Sequence, residues 1–165
     1  MAQAPVLSVV RHPALPGLEA VAGVRVAADI VAHAHSALVV GLCLAGGRRI
    51  VSGGGQWRIQ AGEGFVVPAG VRHACAPLDA AGHGYLALAV RPDVLLRAGV
   101  AAGAPEVWVR SWRDACAAGL LRRVVDQLTG DAGTADDVLT TLAALAACLG
   151  LRPGLPPPLH PPPNG

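Results

Sequence analysis

Short runs rich in valine, leucine and isoleucine fill the first half of the chain, each cut off by glycine, proline or another turn former. Extended runs of this kind lie at residues 24–28, 30–35, 38–44, 48–52, 56–60, 65–67, 73–76 and 85–90. Period-two alternation within runs of this length predicts strands rather than helices. Gly46 with Gly47, and Gly53 with Gly54 and Gly55, are hairpin signals. About eight short strands in this rhythm predict an antiparallel sandwich or barrel. A further β-branched run at residues 6–10 precedes them. Pro13, Pro16 and Gly17 break it, so residues 1–17 read as an N-terminal arm and residues 18–91 as the β body.

Pro92 changes the period. Residues 93–98 have room for one or two helical turns, and Val107 and Val109 alternate again. Ser111 and Asp114 then fit a capping box, followed by apolar positions at Ala117, Leu120, Leu121, Val124 and Leu128. This spacing predicts an amphipathic helix of about four turns. Gly130 and Gly133 end it, and Thr134 with Asp137 makes a second capping box. Val138, Leu142, Leu145 and Leu149 step by four, three and four, which places them on one stripe of a second helix. Residues 92–150 therefore read as a helical segment ending in an antiparallel hairpin. Its last helix is also apolar at Leu139, Ala143, Ala144, Ala146 and Ala147. A helix apolar on most sides must be covered, either by the β body or by a second copy of the chain. Residues 151–165 are proline-rich and predict a polyproline-like tail with nothing to bury.

The length of 165 residues suits one domain with one compact body. All thirteen basic residues are arginine, a bias that with the abundant alanine, glycine and proline points to a GC-rich bacterial genome. The net charge of +2 is spread along the chain, with no run longer than two arginines. This pattern lacks the footprint of a nucleic-acid binder. The longest near-apolar run, residues 138–151, contains Thr140 and Thr141 and falls short of the roughly 20 residues that a membrane span needs. The first eleven residues carry no secretory pattern, which makes the cytoplasm the expected compartment. Cys43, Cys75, Cys116 and Cys148 form no C-x-x-C pair, which predicts reduced, mostly buried thiols rather than a zinc ribbon or a redox dithiol.

The candidate chemistry centres on histidine. Gly62, Pro68 and Gly70 bracket a short apolar strand and deliver His73 straight after a turn. His33 and His35, two residues apart in an extended run, face the same side. Three imidazoles from two strands can converge, and such a set suits zinc, iron or nickel. A metal-free pocket in which the same side chains hydrogen-bond a small ligand, and a purely structural cluster, are the other readings. Cys75 lies two residues after His73 and Cys43 eight after His35, so strand parity puts both thiols on the histidine face. Arg58 lies on a strand whose polar set, if turned inward, would favour an anionic ligand such as a carboxylate. The opposite parity puts Trp57 in the core and Arg58 in solvent.

The spacing of Gly62, Pro68, Gly70 and His73 resembles the second conserved motif of the cupin superfamily at all four positions. His33, His35 and Gly46 resemble its first motif, except that Val39 and Val40 stand where that motif places glutamate. With two helices after the β body, residues 18–150 resemble the N-terminal ligand-binding and dimerisation domain of AraC-type transcription regulators. The helix-turn-helix half that follows in such regulators is absent from this sequence. The resemblance implies an antiparallel jelly-roll cupin barrel, mainly β, followed by a two-helix antiparallel hairpin. It further implies a small-molecule sensor in transcription regulation, and the residues expected at the ligand site are His33, His35 and His73 of the two motifs together with Arg58 and Cys75 from strand parity. No catalytic residue, no cofactor and no direct nucleic-acid contact are expected, and a homodimer would form through the C-terminal helices. The alternative that the resemblance leaves open is a small metal-dependent cupin enzyme, a dioxygenase or isomerase, with a divalent metal on His33, His35 and His73.

Overall fold

The period-two runs pair into two antiparallel sheets. The computed structural model describes residues 5–100, 109–130 and 133–151. In chain order the elements are β1 (Val6–His12), β2 (Leu15–Val26), β3 (Ile30–His33), β4 (Leu38–Ala45), β5 (Gly47–Ser52), β6 (Gly55–Gln60), β7 (Gly64–Val67), β8 (His73–Pro77) and β9 (His83–Val90). Helix α1 (Pro92–Arg97), strand β10 (Arg110–Trp112), and helices α2 (Ala115–Thr129) and α3 (Ala135–Cys148) follow. The larger sheet runs β1-β2-β9-β4-β7-β10 and the smaller β3-β8-β5-β6. Two facing antiparallel sheets with a helix pair behind one of them are the expected jelly roll and hairpin. No helix among the described residues is long and apolar enough to cross a membrane.

The large sheet divides the core in two. Leu18, Ala20, Leu38, Val40, Leu42, Val66, Leu88 and Val90 point outward and pack on Ala117, Leu121, Val124, Leu128, Val138, Leu142, Leu145 and Leu149 of the helical hairpin. The intervening residues point inward: Phe65, Val67 and Cys43 meet Ile50, Ile59 and Cys75 of the small sheet. Both helical stripes expected from the spacing are thus buried, except that Leu120 is half-buried, and what they cover is the outer face of the large sheet.

Several local expectations are corrected. Ser111 does not cap α2; it sits in β10 opposite Phe65, and Asp114 caps the helix by accepting from the Ala117 amide at 2.7 Å. Strand pairing of residues 110–112 outcompetes helix initiation there. The Thr134–Asp137 capping box is present as expected. Residues 24–28 are not a separate strand: β2 runs on to Val26 past an irregularity at which Arg25 takes φ 54°. Gly46 makes a corner rather than a hairpin, because β4 and β5 belong to different sheets. Gly53 and Gly54, both at positive φ, do close the β5–β6 hairpin, as a two-residue turn of this kind requires.

The segment expected as an arm supplies β1, which pairs along β2 from Val6 opposite Val24 to Arg11 opposite Glu19. Val107 and the proline-rich tail lie outside the described residues. Cys43 and Cys75 are buried as expected, but Cys116 and Cys148 are exposed. The antiparallel hairpin brings the first turn of α2 beside the last turn of α3, and their sulfurs approach to 3.2 Å.

Candidate ligand site

His33 closes β3, His73 opens β8, and the two are register partners. His35 lies just past the end of β3, in a segment held down by the second turn: the Gly70 amide donates to the His35 carbonyl at 2.8 Å. Gly70 sits at φ 77°, which a glycine adopts without strain. The two histidine-bearing segments are therefore tied together by backbone as well as by side chains.

The three rings meet with centroids 4.5–5.1 Å apart. His33 Nδ1 lies 2.8 Å from the Val31 carbonyl and His73 Nδ1 lies 3.0 Å from the Val71 carbonyl. A carbonyl oxygen only accepts, so each Nδ1 carries the proton and each Nε2 presents its lone pair. His33 Nε2 and His35 Nε2 are 3.0 Å apart. One potential ligand atom from each ring falls within 4.8 Å of the others. Backbone carbonyls that fix the tautomer and aim the free nitrogen are the usual support of a metal-binding imidazole. The donor set therefore fits a divalent metal ion. Burial, reinforced by the neighbouring imidazoles, lowers the pKa of His35 and His73, which favours the neutral form that binds metal.

A cavity of about 210 Å³ opens beside these rings, between the inner faces of the two sheets. Its walls include Val21, Val39, Val67, Ala87 and Ala89 from the large sheet and Ile30 and Cys75 from the small one. Val39, at the place where the cupin motif carries glutamate, faces the cavity, while Val40 is buried against the helices. No carboxylate joins the three imidazoles among the described residues. Glu63, the acidic residue inside the second motif, closes a surface turn by accepting from the Gln60 amide and pairs with Arg113 at 2.9 Å. Glu19 does line the cavity, paired at 2.7 Å with Arg11.

The other sequence candidates divide. Cys75 is in the cavity wall. Cys43 faces the barrel interior but is fully buried, with its thiol toward the Ala45 and Gly46 carbonyls, and burial raises its pKa. It does not line the cavity. Arg58 is exposed and borders a separate shallow groove with Gly47, Gln60 and Leu78. The polar set of β6 faces outward, because Ile59 is needed in the core.

Three buried polar residues escaped the sequence reading: Arg48, Tyr85 and His83. The Arg48 guanidinium lies 4.8 Å from the centre of the Phe65 ring and 4.9 Å from that of Tyr85, and all three line the cavity. His83 stacks on Tyr85 at 5.4 Å. The signal available in the sequence was parity: Arg48 alternates with the core residue Ile50, and His83 with Tyr85.

A family model described as the AraC-like ligand binding domain matches residues 27–147. None of the curated proteins matches the chain. Among solved structures, a cupin-2 domain protein from Shewanella frigidimarina is similar at 22% identity over 55% of this chain and 85% of its own, with a TM-score of 0.45. A cupin superfamily protein from Desulfitobacterium hafniense is similar at 14% identity, covering 55% of this chain and 83% of its own, with a TM-score of 0.47. KdgF from a Halomonas species is similar at 23% identity, covering 54% and 81%, with a TM-score of 0.44. These likenesses are of fold alone.

Proposed function

Because the chain belongs to the AraC-like ligand binding domain family, we propose that it is a small-molecule sensor acting in the regulation of bacterial transcription. The observation that carries this reading is the cavity between the sheets, whose back wall is the same sheet on which the helical hairpin rests. A ligand that packs against Val39 or Ala89 presses on strands whose next residues, Val40 and Leu88, hold the helices. Binding then biases how the hairpin pairs with a second copy of the chain, to the extent that the ligand prefers one arrangement. The chain binds its ligand without transforming it and contacts no nucleic acid directly. Val39 in place of a glutamate leaves the histidines without the carboxylate that two-histidine, one-carboxylate iron chemistry uses.

Sedimentation at micromolar concentration, with and without small carboxylic acids and neutral sugars, tests this reading. A monomer–dimer equilibrium that moves with one of these compounds is expected; a chain that stays monomeric throughout refutes it.

A second reading rests on the aimed Nε2 atoms: a metal-dependent enzyme in which His33, His35 and His73 hold a divalent ion. Such an ion would supply Lewis acidity toward an oxygen of the bound molecule. Zinc and nickel titration of the protein and of His33→Ala separates the readings. Tight metal uptake lost in the variant, together with turnover of a bound compound, favours the enzyme.

A further inference from the structure

Arg48 is the feature of the cavity that the histidines leave unexplained. It is 5% exposed, and its Nε has no hydrogen-bond partner. The ion pairs among the described residues engage Arg11, Arg91 and Arg113, so no carboxylate lies within 4.0 Å of Arg48. The one carboxylate in the cavity wall among the described residues, Glu19, is paired with Arg11. Burial holds His83 toward the neutral imidazole and the Tyr85 hydroxyl and Cys43 thiol toward their protonated forms. A mostly buried cation whose Nε has no partner and which no carboxylate offsets is costly, and natural proteins seldom keep one unpaired.

We propose that the cavity takes a small carboxylic acid, with its carboxylate on Arg48, its body against Val39, Val67 and Ala87, and its other end at the three imidazoles. This rests on the ligand-binding reading above and names the class of ligand. Three properties of the site select a carboxylate. The Phe65 and Tyr85 rings pre-set the guanidinium, so little side-chain freedom is lost when its planar fork meets a planar anion. The remaining wall is mostly apolar, which disfavours a polyanion such as phosphate. A volume of about 210 Å³, room for roughly seven waters at about 30 Å³ each, admits a molecule of few carbons.

The test is calorimetry and thermal unfolding of the full chain with acetate, butyrate, 2-hydroxybutyrate and benzoate, each against its amide. Acids are expected to raise the unfolding temperature and amides are not. Arg48→Met is expected to weaken acid binding about ten- to hundredfold, the usual range for losing a charge-assisted hydrogen-bonding partner. Without ligand, the same variant is expected to unfold at a higher temperature than the parent, because an apolar side chain replaces an unpaired buried charge. Arg58→Ala, outside the cavity, is expected to bind acids unchanged. Should Arg48→Met not fold, Arg48→Lys keeps the charge, removes the fork, and is expected to lose at least tenfold. Equal effects of acids and amides, or full acid affinity in the Arg48 variants, overturn the proposal. If amides or neutral sugars stabilise the chain while acids do not, the carboxylate assignment falls and the ligand-binding reading stands. If no probe of either kind binds, both fall.

Discussion

Acid should destabilise this fold through His83. The ring is 2% exposed, stacks on Tyr85, and has no hydrogen-bond partner at either nitrogen. Burial, and then the Arg48 charge, lower its pKa from 6.5 to about 4; the Val26 carbonyl pulls weakly the other way. Between these two values the unfolded chain takes up a proton that the folded chain refuses. Stability is therefore whole above about pH 6.5 and falls as the pH drops toward 4. At about 1.36 kcal/mol per pH unit, the loss reaches roughly 3 kcal/mol by pH 4. That is a large part of the ~5–15 kcal/mol that holds a typical domain together. Urea unfolding of the parent and of His83→Leu at intervals from pH 7.5 to 4.5 measures it. His35 and His73 also have lowered pKa values and add slope of the same sign in both proteins, so the difference between the two slopes isolates His83. Parallel slopes, or a His83 resonance titrating near pH 6.5, would refute the reasoning.

Other outcomes follow from the packing. Leu121→Ala empties a fully buried site between α2 and the large sheet and should cost about 2–5 kcal/mol in urea unfolding. Gly41→Ala would put a methyl 2.0 Å from the Phe65 ring. The displaced ring should cost about 1–3 kcal/mol and lower the thermal midpoint. Cys116 and Cys148, with sulfurs 3.2 Å apart on exposed helix ends, should join as a disulfide when the reduced protein is treated with oxidised glutathione. Intact mass and thiol titration will show the loss of two thiols without added mass in the parent, whereas Cys148→Ser loses at most one, and then only as a glutathione adduct, while the buried Cys43 and Cys75 stay reduced.

How much of this was legible in the sequence depends on the range of the interaction concerned. The helix stripes, the Thr134 cap and the Gly53–Gly54 turn each rest on spacing within a few residues, whereas the meeting of His73 with His33 and His35 is one of several open readings until the pairing of β3 with β8 decides it. The Cys116–Cys148 approach needs the hairpin to be closed, and no local pattern brings together residues 32 apart. Ser111 misled because a capping signature is a local preference, and pairing with β7 overrode it. Gly64, the first residue of β7, is a glycine for a reason no local pattern shows. It leaves room for Trp112, whose ring would lie 1.9 Å from an added methyl. Arg58 and Arg48 show the limit most clearly. Both are arginines on neighbouring strands of alternating pattern, and only the pairing of β5 between β6 and β8 puts Arg48 in the interior and Arg58 in solvent.

The large sheet is one residue thick, and both of the molecule's compartments are built on it. Along β4, Leu38, Val40 and Leu42 belong to the helices, while Val39 faces the cavity and Gly41 and Cys43 the barrel interior. Evolution of the two compartments is therefore coupled at the level of single backbone bonds. The pocket cannot be enlarged by moving a strand without lifting the floor under the hairpin. A change of ligand in such a fold is easiest by exchanging side chains such as Val39, Ala87 and Ala89 in place, with the strands left where the helices need them.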